Sequence, residues 1–345
     1  MYDLRHQRMK KHLMNSPLEM VVQDKKFNAI LEEMRNNIDH AGEFHIPKED
    51  VCHVREIFQT AINAGESGLY HLAQELADQL MGYPPALFLE VWGRCPQRGH
   101  NKEIHKTQTK LAGTFNSLTN QGDSDRALLH APFCWCGGKT VSIASFVKAI
   151  AERENPFGVR LISSRIKTPS NIAYKVADIL LDIDKMFRRD KVLNHYSQVV
   201  KDVYGLKIVT RDLDSLKITT HWFGDVFRGN LLEMKDYLGP RKKKSGFEAM
   251  KLVIQRNRQV YELQLQTDAM LERETLGFRE NHQTYKERQM RLRARLGKQY
   301  EEVHKILEVL FCSDGTNCQE LRLNTHGVKG ETDTKDATVA CEQAR

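Results

Sequence analysis

Between Val51 and Leu80 apolar residues recur at three-and-four spacing, through Val54, Ile57, Phe58, Ala61, Ile62, Leu69, Leu72, Ala73, Leu76 and Leu80. That period predicts a helix with one buried face. Pro84-Pro85 interrupts the pattern, and Ala86 to Trp92 resumes it briefly. No strand-like alternation stands out before residue 140, so residues 1–115 read as a helical N-terminal region of unassigned role. Residues 96–138 are polar and irregular, and residues 116–159 read as a linker whose short helix, Val141 to Arg153, leads into the next domain.

From Arg160 the character of the chain changes. Asn171 to Phe187 is predicted to be a helix, with Ile172, Val176, Ile179, Leu180 and Ile183 on one face. Tyr204 to Thr210 reads as a strand by its β-branched content, and Leu213 to Phe227 as a second helix. Phe247 to Gln255 and Gln259 to Gln266 are predicted strands joined by Arg256-Asn257-Arg258. Residues 268–311 form a charged helical region, and the polar residues 312–345 read as disordered. The pattern is α+β: a mixed β-sheet domain flanked by helices over residues 160–311, with an N-terminal helical extension.

The bulk numbers narrow the function classes. A formal net charge of +7 and a pI near 8.9 suit a polyphosphate or nucleic-acid partner and identify neither. No apolar run approaches the length of about eighteen residues that a membrane-spanning helix needs. Residues 1–20 lack the apolar core of a secretory signal, so the expectation is a cytoplasmic chain. Seven cysteines, an odd number in a chain this long, do not read as a secreted disulfide framework. Cys134 and Cys136, with Cys95 and His100 upstream, lack the usual zinc-ligand spacing, so reduced thiols are expected.

Three groups of residues carry candidate chemistry. Asp202 precedes the Tyr204 strand, and Glu262 lies inside the Gln259–Gln266 strand, sharing a face with Gln264 and Gln266. A carboxylate in mid-strand is costly unless paired or metal-bound, so two of them from separate strands suit Mg²⁺; a solvated face is the plain alternative. Arg165, Lys167 and Lys175 surround the predicted start of a helix at Pro169, where amides and dipole favour phosphate; a solvated basic helix start is the alternative there. Lys235 precedes the run Arg241-Lys242-Lys243-Lys244, and Phe247 offers a flat face for stacking a base; a basic nucleic-acid patch or targeting run reads equally well.

Order adds information that no group holds alone. Ser164-Arg165-Ile166-Lys167-Thr168-Pro169-Ser170-Asn171-Ile172-Ala173-Tyr174-Lys175 comes first, then Asp202-Val203-Tyr204-Gly205-Leu206-Lys207-Ile208-Val209. Lys235-Asp236-Tyr237-Leu238-Gly239-Pro240, the basic run and Ser245-Gly246-Phe247 follow, then Tyr261-Glu262-Leu263-Gln264-Leu265-Gln266-Thr267. Over residues 160–290 this succession resembles the synthetase domain of the RelA/SpoT family, with its nucleotidyltransferase-like mixed sheet. The resemblance implies transfer of pyrophosphate from ATP to the 3′-hydroxyl of GDP or GTP, giving the alarmones (p)ppGpp.

By motif position the resemblance places Arg165, Lys167 and Lys175 on ATP, and Asp202, with Glu262, on Mg²⁺. Glu262 would also orient or deprotonate the attacking hydroxyl. Lys235, Lys243, Phe247 and, by a looser match, His282 would line the acceptor side. The chain departs from the family pattern at Phe247, where a tyrosine is usual, at Lys207 and Gln266, where arginines are usual, and at Lys251, near a family histidine. These changes spare the ATP side and bear on the acceptor. No His-Asp dipeptide occurs, so the hydrolase signature is missing and a single-activity small synthetase is expected.

The alternatives are a toxic synthetase that pyrophosphorylates the 3′ end of tRNA, an adenine-nucleotide acceptor, and a catalytically idle nucleotide- or RNA-binding module. The expected partners are ATP and a guanosine nucleotide or tRNA, with no membrane. A neutralising protein or a second copy of the chain is a further candidate.

Overall fold

The computed structural model describes residues 21, 24–39, 44–94, 104–120, 134–135, 139–140, 142–167, 169–180, 202–241, 246–257, 259–277, 297–311 and 321–323. The helices are α1 (Lys25–Asp39), α2 (Lys48–Met81), α3 (Phe115–Asn120), α4 (Pro169–Leu180), α5 (Leu213–Val226), α6 (Asp268–Gly277) and α7 (Lys298–Phe311). The early strands are β1 (Phe44–Ile46), β2 (Ala86–Arg94), β3 (Ile104–Leu111), β4 (Cys134–Trp135), β5 (Lys139–Thr140) and β6 (Ser142–Ile150). The later ones are β7 (Val159–Ile166), β8 (Tyr204–Thr210), β9 (Leu231–Asp236), β10 (Met250–Arg256), β11 (Gln259–Thr267) and β12 (Leu321–Leu323).

Eight strands form one mixed sheet in the order β3-β2-β6-β7-β8-β11-β10-β9. Among the described residues only β8 and β11 pair in parallel. Helix α2 lies across β7, β8 and β11 and supplies much of the core through Val54, Phe58, Leu69, Leu72, Leu76 and Leu80. Tyr204 and Tyr261, neighbours in register on β8 and β11, point into this helix. The Tyr204 hydroxyl lies 3.1 Å from the carbonyl oxygens of both Ala61 and Ile62. Gly65 and Gly68 leave room for the two rings: a Cβ at Gly65 would stand 2.1 Å from the Tyr204 ring, and one at Gly68 would stand 2.3 Å from the Tyr261 hydroxyl. On the flank of the sheet, α7 packs against α4 and α2, with the Tyr300 hydroxyl donating to Asp178 at 2.8 Å and Phe311 stacked on Phe58.

The α+β class holds, but the N-terminal half contains more strand than its periodicity suggests. Ala86 to Trp92 and Val141 to Arg153, both read as helix, are β2 and β6. In each, apolar residues fall on both faces: Leu87, Leu89, Val147 and Ala149 turn to the core, while Phe88 and Phe146 stand on the other side. A short strand with apolar residues on both faces has no period-2 signature to set it apart from a helix turn. Strand β3 falls within the stretch read as irregular, because its exposed edge carries Lys, Thr and Gln. β7 and β9 are also strands that the pattern did not announce, and β12 lies in the tail read as disordered, paired with β1. Cys52 is disulfide-bonded, against the expectation of reduced thiols; spacing along a chain does not tell which sulfurs meet. No helix among the described residues is long and apolar enough to cross a membrane.

Gly65→Ala should cost about 1–3 kcal/mol, the usual range for overpacking a filled core, and lower the urea midpoint accordingly. Gly224→Ala, on α5 with nothing within 4 Å of the added methyl, should be neutral or stabilising by about 0.5–1 kcal/mol. Equal effects at the two positions would refute the seat described for Tyr204.

Candidate functional site

Strand alternation divides the sheet chemically. Tyr204, Leu206 and Ile208 of β8 and Tyr261, Leu263 and Leu265 of β11 turn toward α2. Gly205, Lys207, Glu262 and Gln264 must therefore share the opposite face. Candidate site residues collect there, in two adjoining clusters.

The first cluster forms where β7 leaves the sheet. The Lys167 N–H donates to the Val203 carbonyl at 2.8 Å, which sets Lys167 beside Asp202. Pro169 then opens α4, a position where its missing N–H costs nothing, and the helix carries Lys175 to the same carboxylate. Lys167 Nζ lies 2.6 Å from Asp202 Oδ2, and Lys175 Nζ donates to Oδ1. Lys167 is buried, while Asp202 keeps 31% of its side chain exposed. Burial by itself raises the Asp202 carboxyl, but Lys167 and Lys175 more than offset it and hold it well below the usual carboxylate range. Burial lowers Lys167, and Lys175 and Arg165 push it the same way against the pull of Asp202. Arg165 itself is exposed at the end of β7, opposite Gly205.

The second cluster centres on Glu262, nearly buried in β11. Lys251 of β10 is ion-paired to its Oε2, and Gln264 Nε2 donates to Oε1 at 2.8 Å. Burial lowers the Lys251 ammonium, yet Glu262, Asp202 and Glu233 together raise it above a free lysine. One ammonium thus senses both candidate carboxylates. Lys235 of β9 stands opposite Lys251 in register and is ion-paired to Glu233. Phe247 is half-buried, edge-on to Tyr237 with centroids 6.3 Å apart. Lys243 and His282 lie outside the described residues.

Two residues join the expected set: Lys251, expected as a departure from the family pattern that suits an RNA acceptor, and Glu274, which no pattern in the sequence marks. Lys251 had a signal: it is a lone charge inside Met-Lys-Leu-Val-Ile, as Glu262 is inside Val-Tyr-Glu-Leu, and opposite charges on neighbouring strands find each other. Lys207 and Gln266, the two positions where the family pattern has arginine, converge on one acid: Lys207 Nζ and Gln266 Nε2 each lie 2.8 Å from Glu274 Oε2. Gln266 is fully buried and also donates to the Glu248 carbonyl at 2.8 Å. Glu274 stands on α6, a full helix turn and more beyond the strand, where no local spacing points back to Lys207. Among the described residues no three His, Cys, Asp or Glu side chains gather to hold a metal ion.

Residues 164–290 match the family model described as "Region found in RelA / SpoT proteins". Among solved structures, small alarmone synthetase 1 from Bacillus subtilis, bound to its product pppGpp, is 22% identical over 46% of this chain and 78% of its own, with a TM-score of 0.28. Small alarmone synthetase 2 from the same organism is 18% identical over 44% of this chain and 78% of its own, with a TM-score of 0.24. A GTP pyrophosphokinase family protein from Streptococcus pneumoniae is 18% identical over 44% of this chain and 73% of its own, with a TM-score of 0.26. No curated protein matches the chain.

The Asp202 cluster has a signature in acid. Its carboxyl is lower in the folded chain than its unfolded value of 3.8, so its contribution to stability is complete above that value and is lost as pH falls toward the folded one. Asp202→Asn should therefore lower the urea midpoint at pH 7 and flatten its decline below about pH 4. Parallel declines for the two proteins in that range would refute the ion cluster.

Proposed function

We propose, on the match of residues 164–290 to the RelA/SpoT family model, that the protein is a pyrophosphokinase that moves the β,γ-pyrophosphate of ATP onto a ribose hydroxyl, with GDP or GTP as acceptor. The observation that carries this reading is the meeting of Asp202 with Lys167 and Lys175 beside the Glu262–Lys251 pair, on one face of the sheet. The acceptor oxygen would attack the β-phosphorus, the bond from that phosphorus to the α,β-bridging oxygen would break, and AMP would leave. Catalysis of this kind is mainly positioning and charge compensation.

Lys167, Lys175 and Arg165 fit the ATP side. The two ammonium groups that neutralise Asp202 in the free chain are within reach of a triphosphate bound over the start of α4. Glu262 fits the role of accepting the hydroxyl proton, with Gln264 and Lys251 fixing its oxygens. Lys235 and Phe247 fit the acceptor side, the first as a phosphate partner and the second as a stacking face. Lys243 and His282 stay with that side as part of the proposal.

The donor set suits Mg²⁺, since Asp202 and Glu262 offer hard carboxylate oxygens and Asp202 is open to solvent. Each carboxylate already meets an ammonium, so a cation there would take the place of at least one lysine contact. Bound by Asp202 with Glu262, Mg²⁺ would offset the charge that builds on the phosphates. A second reading of the acceptor, the 3′ end of tRNA, is favoured by Lys251: it adds a cation beside Glu262 and suits an acceptor with more phosphate than a single nucleotide.

γ-Labelled ATP should transfer its label to GDP, GTP or tRNA, and α-labelled ATP should yield AMP. Production of ADP instead would overturn pyrophosphate transfer. Asp202→Ala should abolish turnover, and Glu262→Gln should lower kcat by about 10²–10⁴-fold, the range for losing a general base. Turnover unchanged in Asp202→Ala would exclude the site assigned here.

A further inference from the structure

The site face does not end with the matched region. Followed strand by strand through the register, one row crosses the whole sheet: Lys110 on β3, Phe88 on β2, Lys148 on β6, Ser163 on β7, Lys207 on β8, Gln264 on β11, Lys251 on β10 and Lys235 on β9. Directly paired residues point to the same side, so all eight share the face that carries Glu262. A lysine stands on every second strand from β3 to β10, about 9.5 Å apart at the usual strand spacing, and β9 adds another.

Three strands of this row, β3, β2 and β6, lie before residue 164, outside the matched segment. They are built for charge. Glu90 on β2 is almost fully buried and ion-paired to Lys106 at 2.7 Å and Lys148 at 2.6 Å. Burial depresses Lys148, Glu90 opposes, and Lys106 and Lys207 add to the depression, so the extension is electrically continuous with the Lys207 end of the site. Counted over the strands of this face, Lys106, Lys110, Lys148, Lys207, Lys251, Lys235 and Arg165 outnumber Glu90, Glu262 and Glu233. Aromatic rings are interleaved with the cations: Phe88 lies between Lys110 and Lys148, and Phe146 between Glu90 and Arg165, both only partly buried.

We infer that β3, β2 and β6 extend the site face into a binding track for a single-stranded polynucleotide. Cations spaced along a flat sheet follow a phosphodiester chain, and rings between them accept bases that a single strand leaves unstacked. A duplex keeps its bases stacked and would use the lysines without the rings. An acidic protein segment would likewise need the charges alone. The inference does not rest on the pyrophosphokinase reading: it concerns binding, on strands that no proposed catalytic residue occupies.

The test is fluorescence anisotropy of the full chain with labelled twelve-nucleotide single strands, without ATP, over a salt series. Binding should be present at low salt and should fall with a slope of about −0.7 per phosphate neutralised. Lys110→Glu, at an exposed edge position, should weaken binding about ten-fold and flatten that slope. Phe88→Leu should weaken it about five-fold or more while leaving the slope unchanged. Thermal melts of both variants should match the parent. Absence of binding by the parent chain would overturn the proposal, as would equal affinity in Lys110→Glu. Equal competition by duplex or by polyglutamate, with Phe88→Leu silent, would overturn it in favour of a surface for those partners. ATP turnover measured on the same preparations reads the catalytic proposal separately.

Discussion

Everything on the site face depends on how β8 and β11 are fixed against α2. Their parallel pairing sets Tyr204 beside Tyr261, and both rings enter the long helix where Gly65 and Gly68 leave space. Strand period then leaves Glu262, Gln264 and Lys207 no choice but the other side. A slip of one residue in either strand would send a charged side chain into the helix interface and a tyrosine into solvent. The hydrophobic core thus determines, at a distance, where a carboxylate stands.

The part of the face that holds Asp202 and Glu262 was legible because its signals are local. Asp202, Glu262 and the Arg165–Lys175 segment each occur within a few residues of a strand or helix boundary that the sequence marks, and Pro169 sits where its backbone chemistry predicts. What the sequence concealed depends on partners far along the chain. Phe88 and Phe146 obscure the period of β2 and β6 because they put apolar rings on the face opposite the core. Glu274 meets Lys207 and Gln266 only through the turn from β11 into α6. Lys148 finds Glu90 across a strand pair that no window of sequence contains.

A single electrostatic arrangement recurs across the face. Asp202 lies under Lys167 and Lys175, Glu90 under Lys106 and Lys148, and Glu262 against Lys251. An unpaired carboxylate buried this far is expensive, and so is a buried ammonium. Paired, each satisfies the other in the free chain while remaining able to exchange partners with an incoming anion. The two paired acids in the matched region stand where the chemistry is proposed; the third stands on the added strands, which gives the extension the same electrostatic character.

The outermost strands have a bearing on solubility as well. Among the described residues, β3 and β9 each offer a row of backbone N–H and C=O groups with a sheet neighbour on one side. Such edges invite strands from other molecules to add on. Lys106 and Lys110 set positive charge along the β3 rim, so two copies approaching β3 to β3 meet like charge before their backbones can pair. Neutralising that charge, by mutation or by a bound polyanion, removes the repulsion between copies and exposes the sheet to growth at its β3 margin.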